Sequence, residues 1–184
     1  MKNQIKKYYQ IFISSPTNEY EKIRKTITLE LMQQDRYFPV AMEFMTSYEN
    51  TFQMLLNYMK YSDACIVLIK DKLGSQIGES EKYLTSEMKS YLTKYMNNVG
   101  IKEYSDLTYT EFEYATAQYL NVKVFAFVDD ESILKLSDEA KAKRLYDVVR
   151  SERMYGKIST TEIIATLKPE ISVSIPLLIS GSTW

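Results

Sequence analysis

Histidine is missing from the chain altogether. Its absence removes Ser-His-Asp and Cys-His nucleophile pairs, imidazole general bases and His-liganded zinc, and leaves acid-base work to Asp, Glu, Lys or Tyr. Cysteine occurs once, so no intrachain disulfide framework can form. Cys65 lies inside Ala64-Cys-Ile-Val-Leu-Ile69, the setting of a small core residue rather than a reactive thiol. The five glycines spell neither G-x-G-x-x-G nor a Walker loop. Charge of one sign is also lacking: 23 basic and 24 acidic residues give a net of -1, which provides no electrostatic footprint for nucleic acid. Long hydrophobic runs are absent near the start, where the apolar stretch after Met1-Lys-Asn-Gln-Ile-Lys-Lys7 stops at Ser14-Ser15-Pro16. That is too short for a signal peptide or a membrane span, so a cytoplasmic location and no membrane partner are expected. No metal and no bound cofactor are expected.

What is present reads as alternating strands and helices. The 184 residues suit one domain with a sizeable core, here taken as residues 1–184 with its centre in 8–128. Residues 8–14 and 64–69 are nearly continuous apolar runs, as buried parallel strands are, with 64–69 central. Shorter strands are expected at 38–42, with Pro39 at its start, and at 122–128, with an edge strand at 157–158. Helices are expected near 19–34, 50–59, 80–96, 108–120 and 137–152, and from 159 until Pro169 interrupts the last. Asn18 with Glu21, Asn50 with Gln53, and Ser159 with Glu162 are spaced as N-terminal capping pairs, and Gly100 as a C-terminal cap. The segment 76–104 is a helical insertion that either packs on the domain, covers the pocket as a lid, or offers a partner surface. A C-terminal helical region occupies 131–184. This order implies an α/β, three-layer, flavodoxin-like fold: a five-stranded, mainly parallel sheet in the order 2-1-3-4-5 with helices on both faces.

In such sheets ligands bind beyond the carboxyl ends of the strands. Residues 14–15, 70–75 and 111 fall at that edge. Ser14 and Ser15 offer hydroxyls and backbone N-H groups to a ribose or phosphate, or else cap the next helix. Arg24 orients a carboxylate or phosphate, or sits on an exposed helix face. Glu43 leaves the second strand where ribose hydroxyls would bind, or is a surface residue. Tyr109 is placed to stack on a base. Glu111 and Glu113 both stand in the first turn of the helix at 108–120, in Thr108-x-x-Glu111 and Thr110-x-x-Glu113, each a capping box. They lie about 200° apart around the helix, so they are not expected to share a pocket.

With these residues placed, Ile11-Phe-Ile-Ser-Ser15 followed by Arg24, Pro39-Val-Ala-Met-Glu43, Leu73-Gly-Ser75 and Thr108-Tyr-Thr-Glu-Phe-Glu-Tyr-Ala115 resemble the domain of unknown function 4062 family. That family is similar to Toll/interleukin-1 receptor (TIR) domains and nucleoside 2-deoxyribosyltransferases. The resemblance implies a TIR-like nucleotide-binding domain in a signalling or defence role, with NAD or a nucleoside as ligand or substrate. It implies hydrolysis of an N-glycosidic bond by Glu111, rather than Glu113, with Ser14, Ser15, Arg24, Glu43, Gly74, Ser75 and Tyr109 around the substrate. The chain departs from the family pattern at Pro16, Thr17, Ile23, Lys70 and Leu73 and in its insertion. The alternative is a non-catalytic module of the same fold for self-association or partner binding.

Overall fold

Strands that are apolar on both faces need cover on both faces, and this requirement organises the molecule. The computed structural model describes residues 8–16, 20–41, 51–78, 83–137, 140–152 and 155–173. Strands β1 (Tyr9–Ser14), β2 (Tyr37–Ala41), β3 (Ala64–Ile69), β4 (Lys123–Val128) and β5 (Gly156–Lys157) form one sheet in the order β2-β1-β3-β4-β5. Every pairing is parallel, with Ser14 opposite Val67 and Ile69 opposite Val128 at the carboxyl edge. The central position expected for 64–69 is observed, and all six residues of β3 are buried.

Alternation along the strands separates two cores. Ile11, Ile13, Ile66, Leu68 and Phe127 face a layer made by α1 (Glu21–Met32) and α7 (Thr160–Val173), which contribute Ile27, Leu31, Ile163 and Leu167. Phe12, Cys65, Val67, Ile69 and Ala126 face the opposite layer of α2 (Thr51–Lys60), α3 (Ser86–Val99), α4 (Tyr109–Tyr119) and α6 (Lys141–Glu152), through Leu55, Leu92, Phe112 and Leu145. This is the expected three-layer α/β arrangement. A short 3-10 helix, Tyr104–Asp106, and a one-turn helix, α5 (Asp130–Ile133), complete the elements and were not anticipated.

Several boundaries differ from expectation. α1 starts at Glu21 with Tyr20 as a cap that makes no side-chain hydrogen bond; Asn18 and Asn50 lie outside the described residues. α3 begins at Ser86 rather than near 80, because the Thr85 hydroxyl accepts from the Met88 N-H, and Gly100 ends it in the left-handed conformation foreseen for it. Met88, Leu92, Tyr95 and Met96 of α3 are buried in the core shared with α4. Pro169 does not interrupt the last helix, which continues to Val173. A proline removes one bond to the fourth preceding carbonyl, and the packing of Ile163, Ile164 and Leu167 upstream fixes the helix axis before that loss is felt.

Strand β5 owes its place to a missing side chain. A Cβ on Gly156 would stand 2.7 Å from Glu162 Oε1 and 2.8 Å from the Phe127 ring, and Glu162 is held there by accepting from the Lys157 N-H at 2.9 Å. Gly156→Ala is therefore expected to cost about 1–3 kcal/mol, as overpacking does, read as a lower urea midpoint at unchanged m-value. An unaltered midpoint would mean that β5 shifts freely.

Candidate functional site

Helix α4 is buried along Thr110–Ala117, with the sheet beneath, α2 and α3 packed against it and α6 reaching it through side-chain bonds. A carboxylate on such a helix is enclosed whichever way it points. α4 starts at Tyr109, which leaves Glu111 in its first turn and moves Glu113 to the second, and the two end in different surroundings, as their angular separation suggested.

Glu111 forms the capping box. Thr108 accepts from the Glu111 N-H, while Thr108 donates to Glu111 Oε2 from its backbone N-H at 3.0 Å and from its hydroxyl at 2.9 Å. Arg144 of α6 then closes a two-pronged ion pair, Nε to Oε1 at 2.7 Å and Nη2 to Oε2 at 2.9 Å. Glu111 is 0% exposed. Both oxygens are occupied, so the geometry gives this side chain a structural task, fastening the start of α4 to α6. The spacing from which the resemblance implies a site carboxylate at Glu111 is also the capping spacing, and the helix end needs an acceptor for its free N-H groups. A second link between the same helices runs from Tyr114 and Gln118 to Glu152 Oε2, each at 2.6 Å.

Glu113 points instead to the carboxyl end of β1. The Ser14 hydroxyl donates to its Oε2 at 2.5 Å. Arg24, from α1, donates to Ser15 Oγ at 2.9 Å and to the Pro16 carbonyl at 2.7 Å. Ser14, Ser15, Arg24, Thr110 and Glu113 are all buried. Burial pushes the Glu113 carboxyl from its usual 4.5 up to about 8, against the opposing pull of the Ser14 hydrogen bond and the Arg24 charge. Thr110 donates to the Leu73 carbonyl at 3.1 Å, and the Tyr109 N-H to the Ser75 carbonyl at 3.0 Å, so the loop after β3 is stitched to the head of α4. Gly74 adopts φ +76°, which favours glycine, and a Cβ there would meet Pro16 at 3.5 Å.

The structure thus brings Ser14, Ser15, Arg24 and Gly74 together through Pro16. It joins Ser75 and half-buried Tyr109 to the same edge, and sends Glu111 away from it. Glu43 lies outside the described residues. Sequence reasoning named Glu113 from its spacing in Thr110-x-x-Glu113 but set it behind Glu111, and it did not find Arg144, which nothing local marks.

An open cavity of about 680 Å³ lies on the same edge, beyond the ends of β3, β4 and β5. Lys22 and Ile23 of α1, Lys70, Asp129, Asp130 and Lys157 are among its walls. Lys70 pairs with Asp129 at 3.8 Å. Of the residues placed at this edge from sequence, Lys70 lines the cavity, whereas Ser14, Ser15, Arg24, Gly74, Ser75, Tyr109 and Glu111 are not among its walls. Among the described residues, no cluster of acidic or cysteine side chains could hold a metal ion, and no helix is long and apolar enough to cross a membrane.

The profile of the family described as "Domain of unknown function (DUF4062)" matches residues 10–168. The chain belongs to the DUF4062 family. The match covers all of the sheet but Tyr9 and reaches into α7, and its span includes the segment read as an insertion. Comparison with curated proteins and with solved structures finds no match for this DUF4062 domain.

Proposed function

We propose that this DUF4062 domain is a TIR-like nucleotide-binding domain of cytoplasmic signalling or defence. It cleaves the N-glycosidic bond of NAD or a nucleoside, with Glu113 as the working carboxylate. The observation that carries the reading is the enclosed group at the carboxyl end of β1, next to the central strand β3: Glu113 on Ser14, with Arg24 on Ser15 beside it. Cleavage breaks the bond between the anomeric carbon and the ring nitrogen, and the electron pair leaves with the base. Positive charge builds on the sugar, which an adjacent ionised carboxylate stabilises. Water supplies the oxygen to the anomeric carbon and its proton passes to the carboxylate. Ser14 orients that carboxylate, and Arg24 holds Ser15 and the turn at Pro16 in place for the sugar. Glu113 is 2% exposed, so in this reading ligand entry and the parting of the groups above it are one event.

The test follows base release from NAD and from nucleosides by chromatography, for native protein, Glu113→Gln and Glu111→Gln. Loss of the working carboxylate is expected to slow release on the order of 10²-fold or more, while Glu111→Gln leaves release far less affected. Release by the native protein should rise with pH through about 8 and level off above it, as Glu113 ionises. No release at any pH, at concentrations that favour oligomers, would sink the enzymatic reading. A second reading, a module that binds nucleotide, a partner or its own copy without turnover, is favoured by the sealed state of Glu111. Calorimetric binding of NAD without base release would select it.

A further inference from the structure

We infer that the 680 Å³ cavity beyond β3, β4 and β5 is a subsite for a phosphate-bearing ribonucleotide, holding the part of the ligand that does not react. The inference rests on the nucleotide reading above and adds a place and a recognition chemistry to it. The volume lies in the range of ligand pockets, roughly 300–1,000 Å³, and the position is the carboxyl edge where doubly wound sheets take their ligands.

The walls carry three kinds of group that one nucleotide would use. Lys22, Lys70 and Lys157 come from α1, the end of β3 and β5, and converge on the cavity. Lys70 is already paired with Asp129, whereas among the described residues the ammonium groups of Lys22 and Lys157 have no carboxylate partner. These two are the phosphate contacts. Asp130 and Glu131, on the opposite side of the charge balance, accept hydrogen bonds from sugar hydroxyls. Ile23, Val128 and Ile158 supply an apolar wall against which a base ring lies. Three lysines against three carboxylates leave the lining formally neutral, so a bare anion gains little and a ligand with phosphate, sugar and ring gains most. The cavity and the Glu113 group are joined by α1: Ile23 faces the cavity, and Arg24, the next residue, turns in to Ser15.

The test is calorimetric titration of the full chain with ADP, adenosine and inorganic phosphate, repeated on the double variant Lys22→Ala/Lys157→Ala and on Glu113→Gln. Both lysines are exposed, and equal melting temperatures establish that the variant folds. Native protein is expected to bind ADP at least tenfold more tightly than adenosine or phosphate. The double variant should lose about tenfold or more in ADP affinity, the size expected for lost charge-assisted contacts, and Glu113→Gln should bind ADP as native protein does. ADP affinity unchanged in the double variant would overturn the subsite, as would phosphate binding as well as ADP. Should the native chain release base from NAD while the lysine variant matches it in every constant, the subsite falls and the enzymatic reading stands. Should native protein bind neither ADP nor NAD, both fall.

Discussion

Replacing Glu113 with glutamine is expected to make the protein more stable above neutral pH, by a few kcal/mol near pH 8–9. The sign follows from where the proton resides. The folded-state carboxyl titrates at about 8 and an ordinary one at 4.5, so between those values the unfolded chain has released a proton that the folded chain keeps. Stability contributed by the neutral, Ser14-bonded acid is fully present below pH 4.5 and drains away as pH rises towards 8, by about 1.4 kcal/mol per pH unit for one proton. Glutamine keeps an oxygen that can accept from the Ser14 hydroxyl and has no proton to lose. The measurement is urea unfolding of both proteins from pH 4.5 to 9: their stabilities should lie close together at the acid end and diverge steadily towards pH 8. Parallel curves across that range would show that Glu113 titrates alike in both states and that its enclosure is weaker than the geometry indicates.

Arg144→Ala is expected to cost about 3 kcal/mol, the lower end of the range for stripping one partner from a buried ion pair. The reason is asymmetry. Glu111 is fully enclosed, while Arg144 keeps 22% of its side chain exposed beside a groove lined by Asn98, Asp147 and Glu152. Removing the arginine leaves a carboxylate charge in the interior with only Thr108 to satisfy it. Glu111→Gln instead leaves a guanidinium that can turn to water, at about 1–2 kcal/mol. For a domain of this size about 3 kcal/mol corresponds to a melting temperature roughly 6–12 °C lower. A double-mutant cycle with thermal unfolding measures the coupling. If Arg144→Ala costs no more than Glu111→Gln, the pair behaves as a surface contact, and the anchoring of α4 to α6 has to be sought in the Glu152 links.

Within the chain, strand order and layering were legible because they depend on local pattern. Ala64-Cys-Ile-Val-Leu-Ile69 can only be covered on both faces, and the alternation of such runs with amphipathic helices admits few arrangements. Gly100 could be read as a cap because positive φ is a property of one residue. The edge of the sheet as the place for Ser14, Ser15 and residues 70–75 followed from the same topology, whereas the burial of Arg24 could not be read from its helix alone. Boundaries that depend on competition between local signals were less legible: the α3 start was set by the Thr85 cap, and the α1 start and the passage of α7 through Pro169 accompany packing of those helices against each other and the sheet.

The surroundings of the two carboxylates were a tertiary decision. Thr108-x-x-Glu111 and Thr110-x-x-Glu113 are equivalent as local spacings, and sequence supports a cap at either. What separates them is Arg144, 33 residues downstream on α6, which reaches Glu111 from one side of α4, and Ser14, 99 residues upstream on β1, which reaches Glu113 from the other. The sequence by itself determined that the two carboxylates near the start of this helix would point apart, since 100° per residue is a property of the helix. Only the folded chain decided which of them meets a cation and which a hydroxyl at the ligand edge, because those partners are brought to α4 by the sheet order and the helix layer, and no local period encodes them.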